Sequence, residues 1–248
     1  MNTPDWIFIS PHLDDVALSC GGLVWTLSQQ GHKIEVWTLF AGLPPDGDYS
    51  PFTKQIHHTW GITGAEAIRH RQAEDHAACA VLGAAVRHFD WPDAIYRHEA
   101  TSGRFIVNNE EELFGNPSEP SLVREIAATL KELLPQETRL VLPIGLGGHV
   151  DHQAVVLAGE GLPLVEHFYA DYPYILEHFD TFGLQADRFE NIPQHLSEEA
   201  LEAWQKAVLC YTSQLSTFWR DEGETRLCLR NYLAGGGGRL WRFCKGKH

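Results

Sequence analysis

A three-layer α/β sandwich with a mostly parallel sheet is the fold class that the 248-residue sequence predicts. Three observations carry it. Short apolar runs alternate with stretches of helical periodicity. Glycines stand where several of those stretches stop. Two segments rich in His and Asp each follow an apolar run and precede a helical pattern, the place where ligands bind in such sheets.

In chain order, Trp6 to Ser10 reads as a buried strand, and a helical pattern follows from about Leu18 to Gln30, closed by Gly31. Lys33 to Phe40 is a second strand, and the Gly- and Pro-rich stretch from Ala41 to Gly61 reads as a loop. Gly64 to Leu82 is a helix stopped by Gly83, and Val86 to Trp91 a third strand. Pro92 to Pro120 reads as one long irregular stretch, a length that usually carries function or disorder. Then come a helix from Leu122 to Leu134, a strand from Arg139 to Ile144 and the turn Gly145-Leu146-Gly147-Gly148. A further helix is expected over His149 to Leu157, a strand over Glu166 to Tyr172, and a long helix over Ser197 to Leu215 opened by Ser197. Residues 1–248 are read as one domain.

Composition excludes several classes. The net charge of -14 repels a nucleic-acid backbone, and the longest basic clustering, from Arg239 and Arg242 to Lys245 and Lys247, is short. No apolar run reaches the roughly 18 residues of a membrane span. The stretch Met1 to Trp6 lacks a basic region followed by an apolar one, so no secretory signal is expected and the cytoplasm is the expected compartment. The cysteines Cys20, Cys79, Cys210, Cys228 and Cys244 are odd in number and form no CxxC, so reduced, buried thiols are expected rather than disulfides. Trp219, Trp241 and Phe243 near the C-terminus suit either core packing or an oligomer interface.

The 14 histidines invite a search for a metal site. His12 and Asp15 stand three apart at a strand-to-helix turn, and His152 follows the later strand. Two imidazoles and a carboxylate suit one zinc ion per chain, with a fourth position open for water. Zinc lowers the pKa of such a water to about 7. Asp14 is placed to act as general base, His149 to donate a hydrogen bond or proton, and Asp151 to hold an imidazole in one tautomer. Taken singly, each histidine is as well read as a surface or structural residue, and the aspartates as helix caps.

Pro11-His12-Leu13-Asp14-Asp15 and His149-Val150-Asp151-His152 resemble the two motifs of the LmbE-like, or PIG-L, zinc-dependent N-deacetylases. Between and after them stand further family-like segments: Leu18 to Gly22, Arg71-Gln72-Ala73-Glu74, Trp91-Pro92-Asp93, Phe168 to Tyr174 and Tyr211 to Gln214. The resemblance implies a Rossmann-like sheet and zinc on His12, Asp15 and His152. It implies Asp14 as base, and Arg71 and Asp93 near the substrate, an N-acetylated amino sugar such as N-acetylglucosamine or its conjugate. Two departures stand out. Val16 replaces a glutamate common after the paired aspartates. Leu146-Gly147-Gly148 stands where some members carry a tyrosine. Another zinc-dependent amide or ester hydrolase is the alternative, and a non-catalytic Rossmann-like binding module a third reading.

Overall fold

The structure, a computed structural model, describes residues 3–99, 101–115, 119–178 and 188–244. Lys245 and Lys247 of the basic tail lie outside the described residues, as do Met1 and Asn2. Seven strands form one sheet in the order β3-β2-β1-β4-β5-β7-β6. They are β1 (Trp6–Ser10), β2 (Ile34–Thr38), β3 (Ala85–His88), β4 (Arg139–Pro143), β5 (Val165–Tyr169), β6 (Phe189–Ile192) and β7 (Leu240–Phe243). The first five run parallel, and β7 is antiparallel to both β5 and β6. Helices α1 (Asp15–Gln29), α3 (Gly64–Leu82) and α8 (Glu198–Val208) pack together against one another, while α5 (Pro120–Leu133) packs on α6 (Val150–Gly159). The chain reverses its winding at β1, which pairs with β2 on one side and β4 on the other. That switch opens a crevice at the carboxyl ends of β1 and β4.

Helix α1 must leave β1 abruptly and still admit α8 closely. It is kinked at Cys20 (φ -150°, ψ 26°). The Trp204 indole lies against Gly21 and Gly22, where an added Cβ would meet it at 2.7 and 3.0 Å. The indole N–H donates to the Ala17 carbonyl at 2.6 Å. The Leu18-to-Gly22 segment is therefore a packing seat for a large buried ring, and it holds the helix that begins at Asp15.

Several expectations need correction. The stretch from Ala41 to Gly61 contains a helix, α2 (Pro51–Trp60), capped by the Ser50 hydroxyl accepting from the Thr53 N–H. Within 92–120 stand a 3₁₀ turn, Ala94–Tyr96, and a short helix, α4 (Glu110–Leu113). Ser197 does cap α8, but that helix stops at Val208. A turn over 211–214 then leads to α9 (Leu215–Phe218) and α10 (Glu222–Ala234). The cause of the early stop is Glu74, whose buried carboxylate accepts from Thr212 Oγ1 (2.6 Å), the Ser213 N–H (2.8 Å) and Ser213 Oγ (2.6 Å). Trp219 is buried, and Trp241 and Phe243 pack partly buried against the core. Cys20 and Cys79 are buried and the other three cysteines only half-buried; all five are free thiols.

Candidate active site

Both motifs meet at the crevice. His12, Asp14 and Asp15 leave the end of β1, and His149, Asp151 and His152 open α6 just after β4. All six are buried. Asp93 arrives from the turn after β3 and Arg71 from α3, so every residue singled out in the sequence lies in or beside this cluster.

Hydrogen bonds decide which ring nitrogens carry protons. His12 Nε2 lies 2.9 Å from Asp151 Oδ2, so that nitrogen carries the N–H and Nδ1 faces Asp15. His152 Nδ1 donates to Asp171 Oδ1 at 2.7 Å, which leaves Nε2 buried without a hydrogen-bond partner. His12 Nδ1 and His152 Nε2 both lie 3.4 Å from Asp15 Oδ2. Donors bound to one tetrahedral zinc stand roughly 3.3–3.5 Å apart, so the spacing of each imidazole nitrogen from Asp15 Oδ2 suits a shared ion. His149, His12 and His152 also bring nitrogens within 4.8 Å of one another. His149 is a different case, because its Nδ1 accepts from the Asp151 N–H at 3.2 Å as the cap of α6. Its proton then sits on Nε2, which becomes a donor rather than a ligand.

The titration behaviour follows from this geometry. Burial opposes charge on His12 and His152, but the facing carboxylates outweigh it. Asp93, Asp15 and Asp151 hold His12 well above its ordinary value, and Asp15 and Asp171 raise His152 to about 9. Asp15 is opposed by burial too, yet His152 and His12 hold it well below the usual carboxylate range. Such mutual attraction marks a set of donors that a cation can replace protons on. Burial and the neighbouring His12 push His149 well below its ordinary value, so it stays neutral. Burial raises Asp14 to about 6 against the pull of Arg71, whose Nη2 stands 3.6 Å away.

Four contributors escaped the sequence reading. Asp171 follows β5 and holds His152 with one oxygen, while the other accepts from the Gly145 and Leu146 N–H groups at 2.8 and 3.0 Å. Arg97 and Glu119 stand behind Asp151: Arg97 Nη2 lies 2.7 Å from Asp151 Oδ1 and 2.6 Å from Glu119 Oε2. Tyr174, the first residue of the short helix α7 (Tyr174–Glu177), fills the space beside the departure at Leu146-Gly147-Gly148. Its ring stands edge-on to His152 at 5.8 Å, and a Cβ at Gly147 (φ +83°) would strike it at 2.7 Å. Burial and the nearby carboxylates raise its hydroxyl, which stays neutral and able to donate. Of the four, Asp171 and Tyr174 carried a sequence signal, since they stand in the family-like stretch Phe168 to Tyr174.

An open α/β sheet with imidazoles and carboxylates gathered at its switch point has the form of an enzyme whose chemistry lies between the ends of β1 and β4. The pattern of the PIG-L family, described as GlcNAc-PI de-N-acetylase, matches residues 7–161, and the chain belongs to this family. It is 30% identical to a 2'-N-acetylparomamine deacetylase of Niallia circulans, over 90% of this chain and 85% of that one. Among solved structures, a deacetylase of teicoplanin biosynthesis superposes with a TM-score of 0.75 at 25% identity, covering 98% of this chain and 99% of that one. A structure described as the zinc-inhibited form of teicoplanin deacetylase Orf2 superposes with the same TM-score of 0.75 at 25% identity, over 98% of this chain and 99% of that one. The A40926 pseudoaglycone deacetylase Dbv21 superposes with a TM-score of 0.70 at 26% identity, over 100% of both chains. The chain is thus a hydrolase acting on N-acetyl amides, with no helix among the described residues long and apolar enough to cross a membrane.

Proposed function

We propose that the chain is one catalytic domain that removes acetyl from an N-acetylated amino sugar or its conjugate. One zinc ion is held by His12, Asp15 and His152. The observation that carries this reading is the approach of two imidazole lone pairs to Asp15 Oδ2, each ring fixed from behind by a carboxylate.

When bound, zinc supplies a Lewis acid for the acetyl carbonyl and lowers the pKa of a water. Asp14 takes the proton of the attacking water on its carboxylate and delivers a proton to the departing amine, leaving acetate and a free amino group. Arg71 keeps Asp14 ionised and aimed, and its guanidinium is itself steadied over the Trp60 ring at 5.0 Å. His149 donates its Nε2–H to the oxygen that gains charge as the carbonyl is attacked. Asp151 fixes the ring of His12, and Asp93, at the mouth of the 3₁₀ turn, accepts from a sugar hydroxyl.

A cavity of about 300 Å³ borders that turn at Tyr96 and is lined further by Tyr49, His98 and Phe105 with Asp46 and Asp48. Flat rings suit the apolar face of a sugar. The two carboxylates, in a chain of net charge -14, favour an amino sugar that carries further free amines. Acetate release from N-acetylglucosamine conjugates and N-acetylated aminoglycosides, with and without chelator, tests the proposal. The expected result is chelator-sensitive release, fastest on the cationic sugars. Turnover of simple esters or peptides with no acetate from any sugar would transfer the chain to another hydrolase class.

A further inference from the structure

Arg97 lies in the loop that the sequence presents as irregular, yet it is buried and fully engaged. Its Nε donates to Glu119 Oε1 at 3.0 Å, its Nη1 to the Pro92 carbonyl at 2.9 Å, and its guanidinium lies 4.9 Å from the Phe40 ring centre. The remaining nitrogen, Nη2, meets both Glu119 Oε2 and Asp151 Oδ1. Asp151 is completely buried, and its other oxygen accepts from His12 Nε2 at 2.9 Å and from the Ala94 N–H at 3.0 Å. A continuous chain of charge therefore runs Glu119–Arg97–Asp151–His12, entering the site from a segment that contains neither motif.

We propose that Arg97, anchored by Glu119, is a positioning residue that sets the metal-binding form of His12 by holding the Asp151 carboxylate. The inference rests on His12 being a metal ligand. Among the described residues, Arg97 is the only arginine or lysine paired with Asp151. With Arg97 in place, Asp151 Oδ1 is held at 2.7 Å and Oδ2 receives the Nε2–H of His12, so the Nδ1 lone pair is directed at Asp15. Without Arg97, Oδ1 loses this ion pair and the carboxylate is free to rotate toward another donor. That rotation withdraws the acceptor from Nε2, and the ring can then carry its proton on Nδ1, the nitrogen the metal needs. Glu119 matters because it removes any freedom of the guanidinium to turn away, engaging Nε and Nη2 together.

The test measures zinc affinity by chelator competition on Arg97→Met, Arg97→Lys and Glu119→Gln, each checked for folding by circular dichroism. Nitrogen-15 resonances of His12 in the zinc-loaded protein report which ring nitrogen carries the proton. Loss of an outer partner of a ligand weakens metal binding by about 10–100-fold, the effect expected for Arg97→Met. Arg97→Lys should recover part of it through charge alone, and Glu119→Gln should lose a few-fold. A folded Arg97→Met with wild-type zinc affinity overturns the proposal, as does a variant whose melting temperature falls while zinc affinity holds. If Arg97→Met does not fold, wild-type affinity in both other variants overturns it. A wild-type chain that binds no zinc would instead remove the metal reading on which this one rests.

Discussion

Replacing Asp171 with Asn tests the site through a residue that touches no substrate. The carboxylate is 1% exposed and receives three N–H groups, from Gly145, Leu146 and His152. An amide has only one oxygen to offer. Turned toward Gly145 and Leu146, it aims its own NH₂ at the His152 Nδ1–H, and two donors then face each other. Turned the other way, it strands two backbone N–H groups in a buried place. The first arrangement loses one charge-assisted bond, about 1.5–3 kcal/mol. For a chain near this length each kcal/mol lowers the melting temperature by about 2–4 °C, so a fall of roughly 3–12 °C is expected. To escape the clash, His152 moves its proton to Nε2, the nitrogen that faces Asp15, and zinc affinity should fall by about 10–100-fold. Thermal melts and chelator competition on the purified variant measure both. A melting temperature within about 2 °C of wild type together with zinc affinity within about twofold would refute the tautomer argument.

Further outcomes follow from the same geometry. Asp14→Asn should keep its zinc yet lose about 10²–10⁴-fold in kcat, and near-wild-type turnover would remove Asp14 from the role of base. Asp14 must be ionised to accept a proton, and burial raises it to about 6, so kcat/KM should fall as the pH drops through 6 or, with a cation beside it, somewhat lower. Because their carboxylate neighbours raise both His12 and His152, zinc uptake at neutral pH should release protons. Affinity should therefore climb with pH up to about 9 and flatten above it; calorimetry in buffers of different ionisation enthalpy would show proton release. Gly21→Ala drives a methyl to 2.7 Å from the Trp204 ring and should destabilise the chain by about 1–3 kcal/mol, read as a lower denaturation midpoint.

How much of this was legible differs by element. Strands β1, β2 and β4 announce themselves as apolar runs, and the two motifs follow from their place at strand ends. Helix α2 was hidden because its neighbours are rich in Gly and Pro, although Ser50-Pro51 is a start signal and Gly61 (φ +72°) a stop. The early end of α8 could not be read locally. It is imposed by Glu74, a residue 138 positions away from Thr212 in sequence. Strands β6 and β7 are four residues each and pair antiparallel, too short for a periodic pattern to separate them from coil. In the site, the proposed ligands stand in motifs, whereas Arg97 and Glu119 look like ordinary charges. Their meaning comes only from a long-range contact with Asp151.

The bond between His12 and Asp151 spans 139 residues, and β1 reaches β4 over a similar distance. In a zinc finger the ligands are near neighbours along the chain, so the ion can seed the fold. Here the metal pocket does not exist until β1 and β4 lie side by side, a late and slow kind of contact to form. Metal uptake during refolding should therefore trail the growth of secondary structure. An ion held at the proposed site would lock a nearly finished molecule, and its arrival would date the moment at which the two halves of the site first meet.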